Sequence, residues 1–250
     1  MIDVRGLVKT FGRNGTMIRA LDGLDLTVRQ GCFVVVAGAN GSGKTTLLDT
    51  IAGTVPPDAG TVRIGEDDVT GWPVYRRAPL IGRVFQDPCL GTAPGMTVAE
   101  NLRLAATRGC RRSLRIGVGA AERQHYRDTL AELGLALETR LDTPVGRLSG
   151  GQRQALTMLM AVWRTPRVLL LDEHTASLDP GSEARVLDLT RLMAEKRGLT
   201  TIAVTHRVDL ALALGERTVV LGRGRVVADY DGEARAAMAT GELAAKMAGV

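Results

Sequence analysis

The chain has 250 residues, 45% of them hydrophobic and 24% charged, with a mean hydropathy of +0.05. That composition is expected of a soluble globular chain long enough to bury a sizeable core. It excludes intrinsic disorder, and no apolar run approaches the roughly 20 residues that a membrane-spanning helix needs. The net charge is +5, and Arg108, Arg111, Arg112 and Arg115 account for all but one of those charges. With 3% aromatic residues to stack on bases, nucleic acid is not an expected partner. Three scattered cysteines form neither a disulfide framework nor a zinc site, which fits a reducing compartment. Residues 1–5 read as a strand rather than a secretion signal, so the expected location is the cytoplasm.

Strands alternate with helices along most of the chain. Phe33–Ala37 is a continuous apolar run, as in a strand buried on both faces. A helix follows with Leu47, Leu48 and Ile51 on one side and Gly53 as its stop. Residues 56–60 read as a turn before a short strand at 61–64. Residues 88–161 carry helical periodicity with almost no strand signal and read as an inserted helical subdomain. Further buried strands are expected at 168–171 and 201–204, with a helix over 183–195 between them. Residues 219–228 read as a hairpin. This alternation predicts an α/β fold with a mostly parallel, doubly wound sheet.

Three stretches carry chemistry. Gly38-Ala39-Asn40-Gly41-Ser42-Gly43-Lys44-Thr45 has the phosphate-loop pattern, set between a buried strand and a helix. Its glycines let successive N–H groups converge on phosphate oxygens; Lys44 adds a point charge, and the Thr45 hydroxyl can ligate Mg²⁺. Asp172 and Glu173 end a buried strand, on the face where doubly wound sheets bind ligands. Asp172 can hold Mg²⁺ through water, and Glu173 can polarise a water for attack on a γ-phosphate. Ser149 caps a helix that starts with Gly150, Gly151 and Gln152, a second helix start suited to an anion.

These stretches, together with Gln86, the segment Ser177-Leu178-Asp179 and His206, occur in the order found in the ATP-binding cassette (ABC) ATPases. The chain resembles that family from about residue 4 to 228. The resemblance implies a P-loop NTPase (RecA-like) core over 1–87 and 162–230, including an N-terminal antiparallel β region. It also implies a helical signature subdomain at 88–161 and a short helical tail at 231–250. It implies that ATP and Mg²⁺ are bound, with Phe11 on adenine and residues 38–45 and Thr46 around the phosphates. Thr45, Gln86 and Asp172 would lie at the metal, with Glu173, His206 and Gln86 in hydrolysis. Ser149, Gly150, Gly151 and Gln152 would meet the ATP of a second copy of the chain, with Asp179 at the subunit interface. The implied partners are that second copy, a membrane permease and, indirectly, a secreted or lipid-anchored solute-binding protein. Residues 82–88, 91–94 and 172–176 resemble an importer subgroup assigned to tryptophan/tyrosine-type uptake. An efflux ATPase and a soluble, non-transport ATPase of the family are the alternatives. His174, where most members have Pro, is expected to shape its turn, with tuning of Glu173 as the alternative, and residues 108–115 are expected to be a solvated loop or a permease or lipid contact.

Overall fold

The computed structural model describes residues 1–13, 16–110 and 117–248. Strands β1 (Ile2–Arg13) and β2 (Thr16–Val28) pair antiparallel at the N-terminus. Strand β3 (Phe33–Ala37) follows, then helix α1 (Lys44–Ala52), which Gly53 ends in the left-handed conformation at φ 82°. Strands β4 (Ala59–Ile64) and β5 (Asp67–Asp68) complete a four-stranded antiparallel sheet of order β2-β1-β4-β5. Strand β4 starts two residues before the expected strand, because Ala59 already pairs with Val8.

Helix α2 (Val74–Arg77) leads to β6 (Ile81–Val84). Helices α3 (Val98–Ala106), α4 (Ala120–Ala131) and α5 (Gly150–Val162) then pack together. Among the described residues of 88–161 there is no strand, only an isolated bridge between Thr97 and Pro144. Strand β7 (Val168–Asp172), helix α6 (Pro180–Lys196), β8 (Thr200–Thr205) and helix α7 (Val208–Ala213) return the chain to the large sheet. Helix α6 begins three residues before the expected start, because the Asp179 side chain caps it by accepting from Ser182 N–H. Strands β9 (Arg217–Gly222) and β10 (Arg225–Asp231) form the hairpin, and α8 (Gly232–Ala236) and α9 (Thr240–Ala248) follow.

The large sheet has the order β10-β9-β3-β8-β7-β6 and is parallel except at its β10 edge. Strand β3 is buried on both faces because the sheet divides two cores. Val34 and Val36 join one core with α1 and the antiparallel sheet, while Phe33, Val35 and Ala37 join the other with the helical region. Arg77 is almost wholly buried and ties the end of α1 down, donating to the carbonyls of Thr50 and Ile51 at 2.8 Å each. Cys32 lies half-buried at the edge of the core that holds α1.

Candidate active site

The parallel order brings the C-terminal ends of β3, β7 and β8 together. The chain leaves β3 into residues 38–43 and enters α1 through Gly43 at φ 103°. Any side chain there would bring a Cβ to 2.4 Å from the Ala20 carbonyl, so only glycine fits. Helix α1 has no capping side chain and no acid in its first turn, which leaves its N–H groups for an anion. Ser42 Oγ is buried without a hydrogen-bond partner in the same loop. Lys44 is 6% exposed, and its Nζ donates to the Gly38 and Ala39 carbonyls at 2.8 and 2.9 Å. Burial lowers its pKa, and the nearby Glu173 and Asp172 oppose that shift. Asn40, Gly41 and Thr45 stand on the open side of the loop, with Thr46 half-buried behind them. An orphaned hydroxyl, an uncapped helix start and a buried ammonium together fit a polyphosphate.

Asp172 ends β7 and meets this loop directly: Thr45 Oγ1 donates to its Oδ1 at 3.3 Å. A hydroxyl and a carboxylate are the hard oxygen donors that Mg²⁺ takes alongside phosphate. Arg83 on β6 was not anticipated from sequence. Its guanidinium spans Asp49 of α1 at 2.7 Å and Asp172 Oδ2 at 3.3 Å. Burial raises the Asp172 carboxyl above its ordinary range, and Arg83 counteracts that rise.

Glu173 follows in the left-handed conformation, φ 42°, a strained backbone for a non-glycine residue. Its N–H donates to Val204 O at 3.2 Å, and its Oε1 lies 2.8 Å from His206 Nδ1. A carboxylate only accepts, so the imidazole carries its hydrogen on Nδ1. His174 turns away from this site into the interior. It is fully buried, bonds Thr190 Oγ1 at 3.0 Å, and burial lowers its pKa to about 4.

Ser149, Gly151 and Gln152 stand apart from the phosphate loop. They line a pocket of about 340 Å³ with Ser182 and Arg185, and no residue of 38–46 borders it. Ser149 Oγ accepts from Gln152 N–H, and Gln152 Oε1 accepts from Ser149 N–H, both at 3.3 Å, which closes a capping box on α5. Gly150 is exposed beside them. A Cβ on Gly151 would lie 2.6 Å from Ser182 Oγ, so glycine lets α5 approach α6. Asp179 accepts from Ser182, which lowers its pKa. Gln86 is exposed beyond β6, and Phe11 is 40% exposed near the far end of β1, with Lys9 Nζ 5.6 Å from its ring centre. Of the basic stretch, Arg108 donates to Ala161 O at 2.7 Å and so ties α5 down; residues 111–116 lie outside the described residues.

A buried strand, a glycine loop with a buried lysine, and a carboxylate at the end of the parallel strand next but one to it define a phosphate-loop ATPase. The family model described as "ABC transporter" matches residues 21–176. The chain is 38% identical over 231 residues to the tyrosine transport ATP-binding protein of Clostridioides difficile, covering 92% of this chain and 91% of that one. It is 37% identical over 234 residues to a lipoprotein-releasing system ATP-binding protein of Caulobacter vibrioides, covering 92% and 95%. A dimeric structure of the ATP-binding cassette MJ0796, in a post-hydrolysis state with ADP and Pi, superposes with a TM-score of 0.79 at 28% identity, covering 92% of this chain and 98% of that one. The chain belongs to the ABC transporter family and is an ATPase subunit of a transporter.

Proposed function

We propose that this ATPase drives solute import through a separate membrane permease, and that the solute is of the amino-acid type. The observation that carries the catalytic part is the meeting of Glu173 with His206 beside the buried Lys44. In this reading Lys44 and the loop N–H groups hold the β- and γ-phosphates, with Phe11 against the adenine. Thr45, Gln86 and Asp172 hold Mg²⁺, which supplies positive charge to the phosphate oxygens. Glu173 polarises the attacking water, and His206 fixes the carboxylate that does so. A positioned base of this kind is worth about 10²–10⁴ in rate.

Ser149, Gly150, Gly151 and Gln152 act on the nucleotide of a second copy of the chain, with Asp179 at the interface. Their open pocket, away from the phosphate loop, supports this. Exposed Val74, Tyr75, Leu90 and Leu104 line one groove between the core and the helical region. That groove suits a short helix from the permease's cytoplasmic face, which would place the protein peripherally on the inner side of the cell membrane. Among the described residues no helix is long and apolar enough to cross a membrane. The tyrosine-transport relative supports amino-acid uptake, with a solute-binding protein as the indirect partner; the lipoprotein-releasing relative supports efflux as the second reading. Labelled tyrosine or tryptophan uptake in a deletion strain tests the choice. Uptake should fall on deletion, return with the wild-type gene and stay low with Glu173→Gln; unchanged uptake in the deletion strain contradicts import of these solutes.

A further inference from the structure

Helix α6 grips both loops that carry the reacting side chains. Glu183, in its first turn, is 16% exposed at the side chain, and its Oε1 accepts from Thr175 Oγ1 at 3.1 Å and from Arg207 at 2.6 Å. Thr175 lies two residues after Glu173, and Arg207 directly follows His206. The remaining guanidinium nitrogens of Arg207 bond Asp209 at 3.2 and 2.5 Å, and its backbone N–H bonds Thr205 Oγ1 at 3.0 Å. Further along α6, His174 Nε2 meets Thr190 Oγ1, whose own hydrogen goes to Val186 O at 2.7 Å. With that hydroxyl spent, the imidazole donates from Nε2. The Glu173 loop is thus fixed to α6 at two points and the His206 loop at one, with Glu183 common to both.

The contact between Glu173 and His206 does not hold itself. The His206 side chain is 42% exposed, and a pair open to solvent to that degree is weak. Glu173 also sits in a strained backbone conformation, which persists only where the surroundings enforce it. Hydrogen bonds to a part-buried carboxylate are stronger, and Glu183 makes two. Glu173, Thr175, His206 and Arg207 line one cavity of about 10 Å³, room for about one water molecule, so the two loops have little slack. We infer that Glu183 is a positioning residue for ATP hydrolysis, setting the 2.8 Å meeting of Glu173 and His206 by gripping Thr175 and Arg207 with one oxygen. The inference rests on the roles proposed above for Glu173 and His206.

The test compares Glu183→Ala and Glu183→Gln in the full-length protein. Glu183→Ala should lower kcat about 10- to 100-fold, the scale of a small misplacement of reacting groups, while ATP affinity stays within about twofold. Glu183→Gln keeps an oxygen that accepts both bonds and should recover most of the rate. The chain has three histidines, so the His206 imidazole nitrogen resonances can be assigned with His206→Gln. Glu183→Ala should move the Nδ1 resonance towards its unbonded position. A kcat within about twofold of wild type, an unmoved Nδ1 resonance, or a loss shared equally by kcat and ATP affinity overturns the inference. If Glu183→Ala does not fold, Arg207→Ala releases the same grip from the other loop and is read identically. Glu173→Gln separates the two levels. Wild-type turnover there removes the catalytic reading, while the Nδ1 resonance still tests the grip. Lost turnover there with normal turnover in Glu183→Ala removes the grip alone.

Discussion

The phosphate loop and the Ser149 helix start are both glycine-rich entrances to a helix, yet the fold treats them oppositely. At the first, α1 is uncapped, Ser42 Oγ has no partner, and Lys44 is buried against the carbonyls of its own loop. At the second, Ser149 and Gln152 satisfy each other in a capping box, and the pocket before them holds no residue of the phosphate loop. One entrance is short of an anion within its own chain. The other is complete as a helix end and has no nucleotide site of its own beside it. This contrast is what the proposed function requires of a chain that binds ATP at the first entrance and uses the second on a neighbour's ATP.

The largest expected effect separates binding from chemistry at the first entrance. Glu173→Gln should lower kcat by about 10²–10⁴ with ATP binding retained, because it removes a base and leaves the loop intact. Lys44→Ala should instead weaken ATP binding roughly 10- to 100-fold, the scale of charged hydrogen bonds lost. Phosphate release and direct nucleotide titration distinguish them; equal defects in both assays for both variants would erase the distinction.

Next in size is the buried histidine that follows Glu173. Burial lowers the His174 pKa from 6.5 to about 4 in the folded chain. The unfolded chain therefore takes up a proton near pH 6.5 that the folded chain refuses until about pH 4. The stability this residue permits is full above pH 6.5 and is lost as pH falls towards 4, by roughly 3 kcal/mol in all. Denaturant unfolding of wild type and His174→Leu at neutral and acid pH should show wild type losing more on acidification. A constant difference between the two contradicts the burial argument. Because His174 faces Thr190 rather than the Glu173 carboxylate, the same substitution should leave the pH profile of hydrolysis in place.

The smallest effect belongs to the second entrance. Gly151→Ala forces a methyl group onto Ser182 and should cost about 1–3 kcal/mol of stability, the range for overpacking. Ser182→Gly in the same chain should return much of it. Nucleotide binding to the isolated chain should not change, because Gly151 does not border the phosphate loop. A thermal melt unaffected by Gly151→Ala would contradict the packing between α5 and α6.

Much of this contrast was legible from residue types at short spacing. The phosphate loop, the apolar runs of β3 and β7 and the Ser149 cap all announce themselves within eight residues. Strand β2 is covered in the sequence only by the implied N-terminal antiparallel region, although Leu24, Leu26 and Val28 alternate with exposed neighbours in the period-two pattern of a half-buried strand. Arg83, Glu183 and Arg207 could not be found that way. Arg83 meets Asp49 and Asp172, which lie 34 and 89 positions away, and Glu183 meets Arg207 across 24. Such pairs are made by the parallel sheet bringing strand ends together, and nothing local in the sequence marks them. Helix α6 shows the same limit, since its charged first turn reads as an exposed face until Thr175 and Arg207 are seen against it.

The claim that two chains share each ATP is tested most directly with mixed dimers. Lys44→Ala on one chain and Gly151→Asp on the other put both defects in one shared site and leave the other whole. Both substitutions on one chain, beside an otherwise unaltered partner, put one defect in each shared site. Gly151→Asp crowds Ser182 and adds a carboxylate to the pocket the two residues share, where it repels an incoming phosphate. Glu173→Gln on every chain stops turnover, and ATP trapped by the purified, doubly tagged dimers is counted. The account predicts more trapped ATP when the two changes are on opposite chains. More ATP trapped when both are on one chain would mean that each chain holds its own complete site, and would contradict it.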